Sequence, residues 1–408
     1  MNVLLINQYF HPDISATSLI ITDLCIELTR HFNISVLCGT PSYNPAESLT
    51  YKSFKFYTYK DCRVMRVWNT SFSRRTFKGR ILNYLTFMST GCLTALLLKK
   101  SNATFAMTDP PFVGFIAYMI NKIKRVPYVV TLQDIHPDIE IHTGLLKKSF
   151  LVSAWIKLNK LIFNNAVYVI VLGNTMKDYL KDAYGLAPEK IKVIPNYCDD
   201  KIITPQPKQN KFLNDKPFKD KFIITHSGNM GLNQDLHIII ESAKLLKDNQ
   251  DIAFVFIGDG AMKERLLASV KNNALSNIHF LPYEQKENLP FSLSAADVHL
   301  ITLGKGLTRY ILPSKLYGIM AVSRPIIACI DNDSDVAHII EEAQCGLVIE
   351  PGNPETLANA ISWMYKNKND LPALGENARQ YLENNLRKAH VIEKYRELFL
   401  SISSRVSL

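Results

Sequence analysis

The sequence predicts an α/β protein built from two doubly wound, Rossmann-like domains, and three observations support this fold class. Short, continuous apolar runs alternate with helical segments along most of the chain, as expected of parallel strands covered on both faces. A strand that ends in a glycine-bearing turn and opens a helix occurs at 222–236 and again at 252–267, which is typical of a nucleotide-binding α/β domain. Finally, 408 residues are more than one hydrophobic core usually organises.

The first domain is predicted at 1–198. Helices at 18–31 and 176–183 lie between its apolar runs. The predicted strands of this domain are 3–6, 34–38, 63–68, 103–107, 128–132, 167–172 and 191–194.

A linker is predicted at 199–221, because this stretch combines prolines with lysines, asparagines and glutamines and has little apolar content. The second domain follows at 222–384, and a C-terminal helix at 385–408 is expected to pack back on the first domain. A helical pattern covers 378–401. We expect the two domains to face a cleft, since ligands bind beyond the carboxyl ends of parallel strands. The predicted strands of the second domain are 222–227, 252–258, 278–282, 298–303, 325–330 and 346–350.

The composition favours a cytoplasmic protein with an anionic partner. The net charge of +10 and the pI near 9.1 fit a solvated basic surface, an anionic membrane, a nucleic acid or a phosphorylated substrate. No RNP-type motif, zinc-finger spacing or long Lys/Arg block is present, which argues against nucleic acid. The seven cysteines form no CxxC pair and are interpreted as thiols of a reducing compartment. The first residues lack the basic region of a signal peptide.

An uncharged segment at 81–98 stands between basic residues. Three interpretations remain open for it: a helix buried against the first sheet, a helix lying on an anionic bilayer, and a membrane span. The basic residues on its two sides are Arg74, Arg75, Lys78, Arg80, Lys99 and Lys100.

Two glycine loops of the second half are predicted to bind a diphosphate, since such loops bring backbone N–H groups close to ligand oxygens. The alternative is a pair of ordinary strand-to-helix turns. The residues proposed for binding are Ser227, Gly228, Asn229, Gly231, Gly258, Asp259 and Gly260.

A third loop, at 304–315, offers the cations Lys305, Arg309 and Lys315, whose charge suits phosphate. Pro313 and Ser314 are predicted to open a helix there, with Ser314 as its N-cap. The alternative is a solvated basic loop.

In the first half, His136 lies between Asp134 and Asp138 directly after a predicted strand. This arrangement suits an acid/base or orienting cluster, and it equally suits a hydrogen-bonded turn. Asp109 is interpreted as part of a structural turn.

The first strand-to-helix loop is expected to line the acceptor side of the cleft. Its candidates are Asp13, Ser15, Ala16 and Thr17, and N-capping by Ser15 or Thr17 is the structural alternative. No metal site is expected, since HExxH and closely spaced His/Cys sets are absent, and no GxSxG nucleophile motif is found.

Taken in order, these segments resemble the retaining glycosyltransferases of the GT-B fold, family four. The resemblance covers nearly the whole chain and is closest to the bacterial surface-polysaccharide subgroup, with its colanic-acid, O-antigen and N-acetyl-L-fucosaminyl transferases. The motifs that carry it are QYFHPD (8–13), GTPSYNP (39–45), TDPPF (108–112), LQDIHPD (132–138), VIPNYCD (193–199), SGNMG (227–231), IGDG (257–260) and LPSKLYGIMAVSRPIIA (312–328).

The resemblance implies transfer of a sugar from a nucleotide-sugar, such as UDP-N-acetyl-L-fucosamine or another UDP-sugar, without cofactor or metal. The donor would bind in the second domain, and the acceptor, a lipid-diphosphate-linked saccharide, in the first. The enzyme would work at the inner face of the bacterial plasma membrane as a peripheral protein. Asp134, His136 and Lys315 would carry the catalytic roles.

The sequence departs from the family pattern at four positions. Tyr310 and Gly318 stand where the paired glutamates are expected, and Asn229 and Gln234 replace an Arg/Lys pair. The missing glutamates keep open the alternative of a glycosyltransferase-like scaffold that binds without turnover. Among enzymes, the alternative is a nucleotide-sugar epimerase of the same fold, which needs no acceptor.

Overall fold

The computed structural model describes residues 1–42, 54–72 and 77–406. Residues 43–45 of the GTPSYNP motif, together with Arg74 and Arg75, lie outside the described residues. The chain forms two compact units. Unit 1 comprises Met1–Pro195 and Val391–Leu408, and unit 2 comprises Asn196–His390.

Unit 1 is built on an eight-stranded sheet with the order β3-β4-β2-β1-β5-β6-β7-β8. All neighbouring strands are parallel except β3 and β4, which pair antiparallel. The strands are β1 (Asn2–Ile6), β2 (Asn33–Cys38), β3 (Lys55–Tyr59), β4 (Cys62–Arg66), β5 (Ala103–Ala106), β6 (Tyr128–Thr131), β7 (Tyr168–Val171) and β8 (Ile191–Val193).

The central strands β5, β6 and β7 are buried along their whole length, so both faces of this part of the sheet are covered. Phe399 of the C-terminal helix makes an edge contact with Phe32 and a tilted ring contact with Phe105, which fixes that helix to the first sheet. The helices of unit 1 are α1 (Ala16–Leu28), α2 (Phe77–Leu97), α3 (Gly114–Lys124), α4 (Asp138–His142), α5 (Phe150–Asn165), α6 (Asn174–Tyr184) and the end of α14 (Lys388–Val406).

Unit 2 contains a six-stranded, fully parallel sheet with the order β11-β10-β9-β12-β13-β14. Its strands are β9 (Phe222–Ser227), β10 (Ile252–Ile257), β11 (Ile278–Leu281), β12 (Val298–Thr302), β13 (Ile326–Cys329) and β14 (Gly346–Ile349). Its helices are α7 (His237–Leu245), α8 (Lys263–Asn272), α9 (Leu289–Ser294), α10 (Lys315–Ala321), α11 (Asp335–Ala343), α12 (Pro354–Lys366) and α13 (Leu371–Tyr381).

These two parallel sheets confirm the predicted fold class of two Rossmann-like α/β domains. A strand is present at each of the predicted positions, and β3 is the strand that the prediction missed. The residues of β3 are largely exposed, because this strand lies at the sheet edge and is paired only with β4. It therefore lacks the continuous apolar run by which the buried strands were found.

The segment predicted as a linker, 199–221, folds as part of unit 2. Leu213 and Phe218 are buried there against Ile223 and Val255. Two apolar side chains among many polar ones give a weak periodic signal, although they suffice to anchor the segment.

The tail predicted as one helix over 378–401 is interrupted. Helix α13 ends at Tyr381, a π-helical turn covers Leu382–Leu386, and Arg387 leaves the helical region with ψ 142° before α14 begins. Arg387 donates from Nε to Asp200 Oδ2 over 3.2 Å, and Lys388 pairs with Asp199. These contacts hold the break in place.

Helix α2 contains most of the uncharged segment 81–98. One side of the helix, with Asn83, Phe87 and Gly91, is buried, and Leu85 and Leu93 on the other side are exposed. Across 1–42, 54–72 and 77–406, no helix combines the length and apolar character that crossing a membrane requires.

Candidate functional site

In unit 2, the loops that follow β9 and β10 are joined by backbone hydrogen bonds. Gly228 N–H donates to Ile257 O over 2.8 Å, and Met230 N–H donates to Asp259 O over 2.8 Å. Because β9 and β10 are neighbours in a parallel sheet, both loops emerge at the same carboxyl edge. The predicted donor-site residues Ser227, Gly228, Asp259 and Gly260 are thus brought together.

The glycines of the second loop serve this loop-to-loop contact. A Cβ atom at Gly258 would lie 2.0 Å from Gly228 O, and one at Gly260 would lie 2.4 Å from Met230 O. Both glycines also have positive φ, of 144° and 156°. The need for glycine at 258 and 260 is therefore explained by close packing of the two loop backbones. Gly228, with φ 127°, instead faces the side chain of Lys315.

Lys315, the first residue of α10, reaches back beneath the first of these loops. Its Nζ donates to Gln234 Oε1 over 3.0 Å and lies 3.2 Å from Nε2 and 3.4 Å from Nδ1 of His226. A Cβ atom at Gly228 would lie 3.9 Å from the same Nζ. In the described part of the chain, Lys315 has no carboxylate partner.

The electrostatics of this cluster follow from its burial. Burial lowers the pKa of Lys315 to about 7, because the charged amine loses hydration without gaining an anionic partner. Burial, and then the charge of Lys315, hold the pKa of His226 well below its ordinary value. A neutral imidazole therefore lies beside an amine that an anion would help to protonate.

The loop between β12 and α10 is held by Asp331, which follows β13. The Asp331 carboxylate accepts from Gly306 N–H at 3.0 and 2.9 Å and from Thr308 Oγ1 at 2.8 Å. Gly306 has φ 73°, a conformation that favours glycine. The sequence prediction did not include Asp331.

The remaining residues of the predicted donor set are placed less centrally. Arg309 and Asn229 are exposed, and among the described residues Arg309 makes no hydrogen bond to the Lys315 cluster. Ser314 occupies the N-cap of α10, but its side chain caps no backbone N–H, and Pro313 precedes the cap instead of starting the helix. The capping role expected of Ser314 was wrong, since its backbone is already helical, with φ −67° and ψ −16°.

In unit 1, the loops after β1, β5 and β6 emerge side by side, because these strands are adjacent in the sheet. Thr17 Oγ1 donates to Asp109 Oδ2 in a short hydrogen bond that joins the first two loops. Gln8 N–H also donates to Asp109 O over 2.7 Å. Asp109, interpreted from sequence as part of a turn, thus places its carboxylate where the loops after β1 and β5 meet.

Two of the other acceptor-side candidates, Ser15 and Asp13, have structural contacts. Ser15 caps α1 by accepting from Ser18 N–H at 3.1 Å, as the structural alternative expected. Asp13 is buried and accepts from Ser42 N–H at 2.8 Å. Ala16 is exposed.

His136 lies between two carboxylates, but one of them differs from the prediction. Its Nδ1 lies 2.7 Å from Glu140 Oε1, and its Nε2 lies 3.9 Å from Asp134 Oδ2. Asp138 instead accepts from Tyr179 Oη and Tyr184 Oη, each at 2.5 Å. The prediction for Asp138 was wrong because its side chain leaves α4 toward α6, whereas Glu140 lies one helical turn beyond His136.

Burial and the neighbouring charges shift the pKa values of Asp134 and His136. Burial raises the pKa of Asp134 to about 6, against the opposing charge of His136. Burial lowers the pKa of His136, but the hydrogen bond and charge of Glu140, with Asp134 and Asp109, outweigh it and the net pKa is raised. The cluster therefore pairs a histidine whose pKa is raised with a carboxyl group whose pKa is about 6.

No group of three or more His, Cys, Asp or Glu residues in 1–42, 54–72 and 77–406 is arranged to hold a metal ion.

Sequence comparison connects both units to one class of protein. Residues 19–201 match the family Glycosyltransferase Family 4, and residues 208–381 match the family Glycosyl transferases group 1. The structure superposes on the sucrose-phosphate synthase of Thermosynechococcus elongatus with a TM-score of 0.79 at 15% identity, covering 98% of this chain and 100% of that one. The chain is a glycosyltransferase of the GT-B fold.

Two curated proteins and one further solved structure are similar to this glycosyltransferase. WbjE of Pseudomonas aeruginosa, named a probable glycosyltransferase, is 28% identical over 73% of this chain and 74% of its own length. The Campylobacter jejuni N-acetylgalactosamine-N,N'-diacetylbacillosaminyl-diphospho-undecaprenol 4-alpha-N-acetylgalactosaminyltransferase is 24% identical over 64% of this chain and 68% of its own. The Anabaena protein HepE, solved in complex with UDP-glucose, superposes with a TM-score of 0.75 at 16% identity, covering 98% of this chain and 100% of that one.

Sequence reasoning missed an aromatic residue in this glycosyltransferase. Tyr283 follows β11, is exposed, and donates from Oη to Asp259 O over 3.3 Å. Its ring carbon Cε1 would lie 3.4 Å from a Cβ atom at Gly258. The signal available in the sequence was an aromatic residue at the carboxyl end of a strand that neighbours β10.

Tyr310 and Gly318, which stand where the family's paired glutamates are expected, have different surroundings. Tyr310 is buried on the loop before α10. Gly318 lies within α10, where a Cβ atom would meet Leu293 Cδ1 at 3.6 Å, an ordinary contact. The structure thus leaves room for a Cβ atom at Gly318.

Proposed function

We propose that this glycosyltransferase moves a sugar from a nucleoside-diphosphate sugar to a lipid-linked saccharide, with retention of the anomeric configuration, in the synthesis of a bacterial surface polysaccharide. The observation that carries the proposal is Lys315, a partly buried amine that lies beside Gly228 at the carboxyl edge of the second sheet and has no carboxylate partner among the described residues. Such an amine is suited to the charge of a diphosphate.

The transfer step assigns Lys315 to the leaving group. The bond between the anomeric carbon and the diphosphate oxygen breaks, a bond to the acceptor oxygen forms, and the acceptor proton passes to a diphosphate oxygen. Negative charge grows on the departing diphosphate, and a protonated Lys315 stabilises it. Asn229 and Gly231 would place backbone donors along the same phosphates, whereas the Gly228 N–H is already bonded to Ile257 O and Gly228 would instead allow the close approach of a phosphate.

The first unit would position the acceptor hydroxyl. Asp134 and His136 offer a carboxyl group and an imidazole at the carboxyl edge of the first sheet. Glu140 holds His136 by its hydrogen bond, so Glu140 is a positioning residue rather than a catalytic one. Thr17 and Asp109 would complete the polar wall on the acceptor side.

The chemical classes of donor and acceptor come from the relatives. The HepE complex contains UDP-glucose, which favours a UDP-sugar here, and Tyr283 would offer its ring to the base. N-acetyl-L-fucosamine is one candidate sugar for that donor. The Campylobacter jejuni relative is named for a diphospho-undecaprenol substrate, which favours a polyprenyl-diphosphate-linked saccharide as acceptor. Reaction without a metal ion, at the cytosolic face of the plasma membrane, completes the proposal.

A direct test supplies purified protein with UDP-sugars and a polyprenyl-diphosphate-linked saccharide in EDTA, and follows product by mass spectrometry and its anomeric configuration by NMR. Formation of an α-linked product from an α-linked donor supports the proposal. An inverted product would contradict retention. Epimerised donor, or donor bound without any turnover in the presence of acceptor, would contradict the transferase assignment itself.

A further inference from the structure

The outer side of α2 presents a row of exposed apolar residues. Leu82, Leu85, Leu93 and Leu97 recur at helical spacing on the side opposite the buried one, and Leu93 and Leu97 are 66% and 87% exposed. The charged residues at the two ends of the helix are basic: Lys78, Arg80, Lys99 and Lys100. Monomeric soluble proteins rarely expose a contiguous apolar row of this kind without a binding partner.

A second apolar group lies at the start of α5. Phe150 and Leu151 are 85% and 77% exposed, and only Ser149 separates them from Lys147 and Lys148, which are also exposed. Ser149 caps α5 by accepting from Val152 N–H at 3.3 Å, which orders the backbone on which Phe150 and Leu151 stand. This is therefore an ordered feature of the fold.

The two groups belong to one layer of helices. Helix α2 packs against α3, and α3 packs against α5. A row of edge contacts crosses the three segments, with Tyr84 of α2 against Phe112 at 6.4 Å between centroids and Phe112 against Trp155 of α5 at 6.0 Å. We call the combined surface, made by the exposed sides of α2 and residues 145–151, the basic apolar face.

The charge of the chain is concentrated in the same unit. Unit 1 holds 26 of the 47 Lys and Arg residues but only 14 of the 37 Asp and Glu residues, a net charge of +12, which leaves unit 2 with −2. Between Asp61 and Asp134 the sequence has eleven basic residues and one acidic residue, Asp109. Between Glu140 and Asp178 the sequence has five lysines and no acidic residue.

We propose that the basic apolar face docks the protein on an anionic phospholipid bilayer, with α2 lying in the plane of the interface and residues 145–151 forming a second point of contact. Apolar side chains bury among the acyl chains, and the flanking lysines and arginines meet the anionic headgroups. The complementary charge favours a membrane over a second copy of this chain, since two such faces would repel each other.

The basic apolar face lies beside the acceptor-side loops of the first sheet. Gln8, in the loop after β1, donates from Nε2 to Asn83 O of α2 over 3.4 Å, so the first half of α2 adjoins the carboxyl edge of the first sheet. A lipid-linked acceptor could therefore reach Asp109 and Asp134 while its lipid stays in the bilayer. This last step rests on the proposed function, whereas the docking itself does not.

Vesicle flotation of the full chain tests the proposal. Wild-type protein is expected to float with vesicles of phosphatidylglycerol and phosphatidylcholine and to bind vesicles of phosphatidylcholine alone much more weakly. The variants Leu93→Ser/Leu97→Ser and Phe150→Ser/Leu151→Ser should each partition at least about tenfold less, because each removes two apolar side chains from the interface. A charge variant, Lys147→Gln/Lys148→Gln, should bind anionic vesicles more weakly at low salt and should lose less of its binding than wild type as salt rises, because two of the charges that salt screens are gone.

The matched control is Leu245→Ser/Leu267→Ser, which removes two leucines of unit 2 that are 52% and 36% exposed. It should float like wild type. Melting temperature and the shift caused by UDP are measured for every variant, so that loss of docking is distinguished from loss of fold or of donor binding. Wild-type protein that does not float, or apolar variants that float as well as wild type, would overturn the proposal. A wild-type dimer that the apolar variants convert to monomers, without flotation, would assign the face to a second copy.

Discussion

The Nζ atom of Lys315 lies 3.2 Å from Nε2 of His226, and both side chains are held away from any carboxylate in the described part of the chain. Burial disfavours the charged form of both groups, and the charge of Lys315 further disfavours a charged His226. The pKa of Lys315 is accordingly lowered to about 7 and that of His226 lies well below its ordinary value. A bound diphosphate would reverse the balance for Lys315 by supplying the missing negative charge.

The first prediction concerns Lys315 itself. Lys315→Ala should weaken binding of a nucleoside diphosphate by about 1.5–3 kcal/mol, or roughly ten- to a hundredfold in Kd, because a charge-assisted hydrogen bond to phosphate is lost. Isothermal calorimetry measures the change. Lys305→Ala, which removes an exposed lysine of the same loop paired with Glu350, is the control and should bind like wild type.

A second prediction follows from the pKa near 7. Above that pH the free amine is neutral, and diphosphate binding must take up a proton, whereas below it the cation is already present. Affinity for the nucleoside diphosphate should therefore rise as pH falls from about 8.5 toward 7, and the added slope should vanish in Lys315→Ala. Calorimetry in buffers of different ionisation enthalpy counts the protons. An unchanged slope in the variant would show that the ligand alone titrates.

A third prediction tests Asp331 as the support of the loop before α10. Asp331→Ala should destabilise the protein by about 1–3 kcal/mol, because Gly306 N–H and the Thr308 hydroxyl lose their acceptor. It should also weaken donor binding, although Asp331 is not assigned to the ligand. Denaturant unfolding and calorimetry measure the two effects. Asp333→Ala changes an exposed neighbour of the same charge and should leave both quantities unchanged.

A fourth prediction separates backbone packing from conformational freedom. Gly258→Ala should cost about 2–5 kcal/mol, since overpacking against Gly228 O adds to the strain of a positive φ. Gly144→Ala also forces a positive φ, of 72°, but its Cβ atom would meet nothing within 4 Å. It should therefore cost only about 1 kcal/mol. Equal losses in the two variants, measured by denaturant unfolding, would contradict the packing argument.

The fifth prediction concerns the pH dependence of transfer. If an ionised Asp134 contacts the acceptor, kcat should fall as pH drops below about 6, where that carboxyl group becomes protonated. Asp134→Asn should lower kcat and remove this limb. Glu140→Gln should lower the pKa of His136, because it removes the hydrogen-bonded charge that raises it, and should move the alkaline limb to lower pH. If kcat of Asp134→Asn still falls below about pH 6, the acidic limb belongs to another group.

The regular parts of the fold could be predicted because they depend on local patterns. Strands such as β9 and β10 are continuous apolar runs that end in glycine turns, so both the strands and the loops after them were found. The cluster of Lys315 with Gln234 and His226 joins residues far apart in sequence. From the sequence, each of these three residues could be recognised only as a polar residue near the end of a strand, so their contact could not be predicted.

The rest of the candidate site depends on side-chain direction, which the sequence does not encode locally. Asp138 and Glu140 are equally plausible partners of His136 in the sequence, and the choice is made by Tyr179 and Tyr184, which bind Asp138 from α6. The role of Asp331 depends on β13 lying beside β12 in the sheet. Neither relationship leaves a periodic signal in the chain.

The most direct test of the central claim, that unit 2 binds the diphosphate of a nucleotide-sugar at Lys315, is a melting-temperature screen. Wild-type protein and Lys315→Ala are heated with UDP, GDP, TDP, CMP and UDP-sugars, with EDTA and with magnesium. A ligand that binds only the folded state raises the melting temperature. We predict that a nucleoside diphosphate of one base stabilises wild type in EDTA and stabilises Lys315→Ala much less. No shift with any nucleotide, or an equal shift in the variant, would contradict the claim.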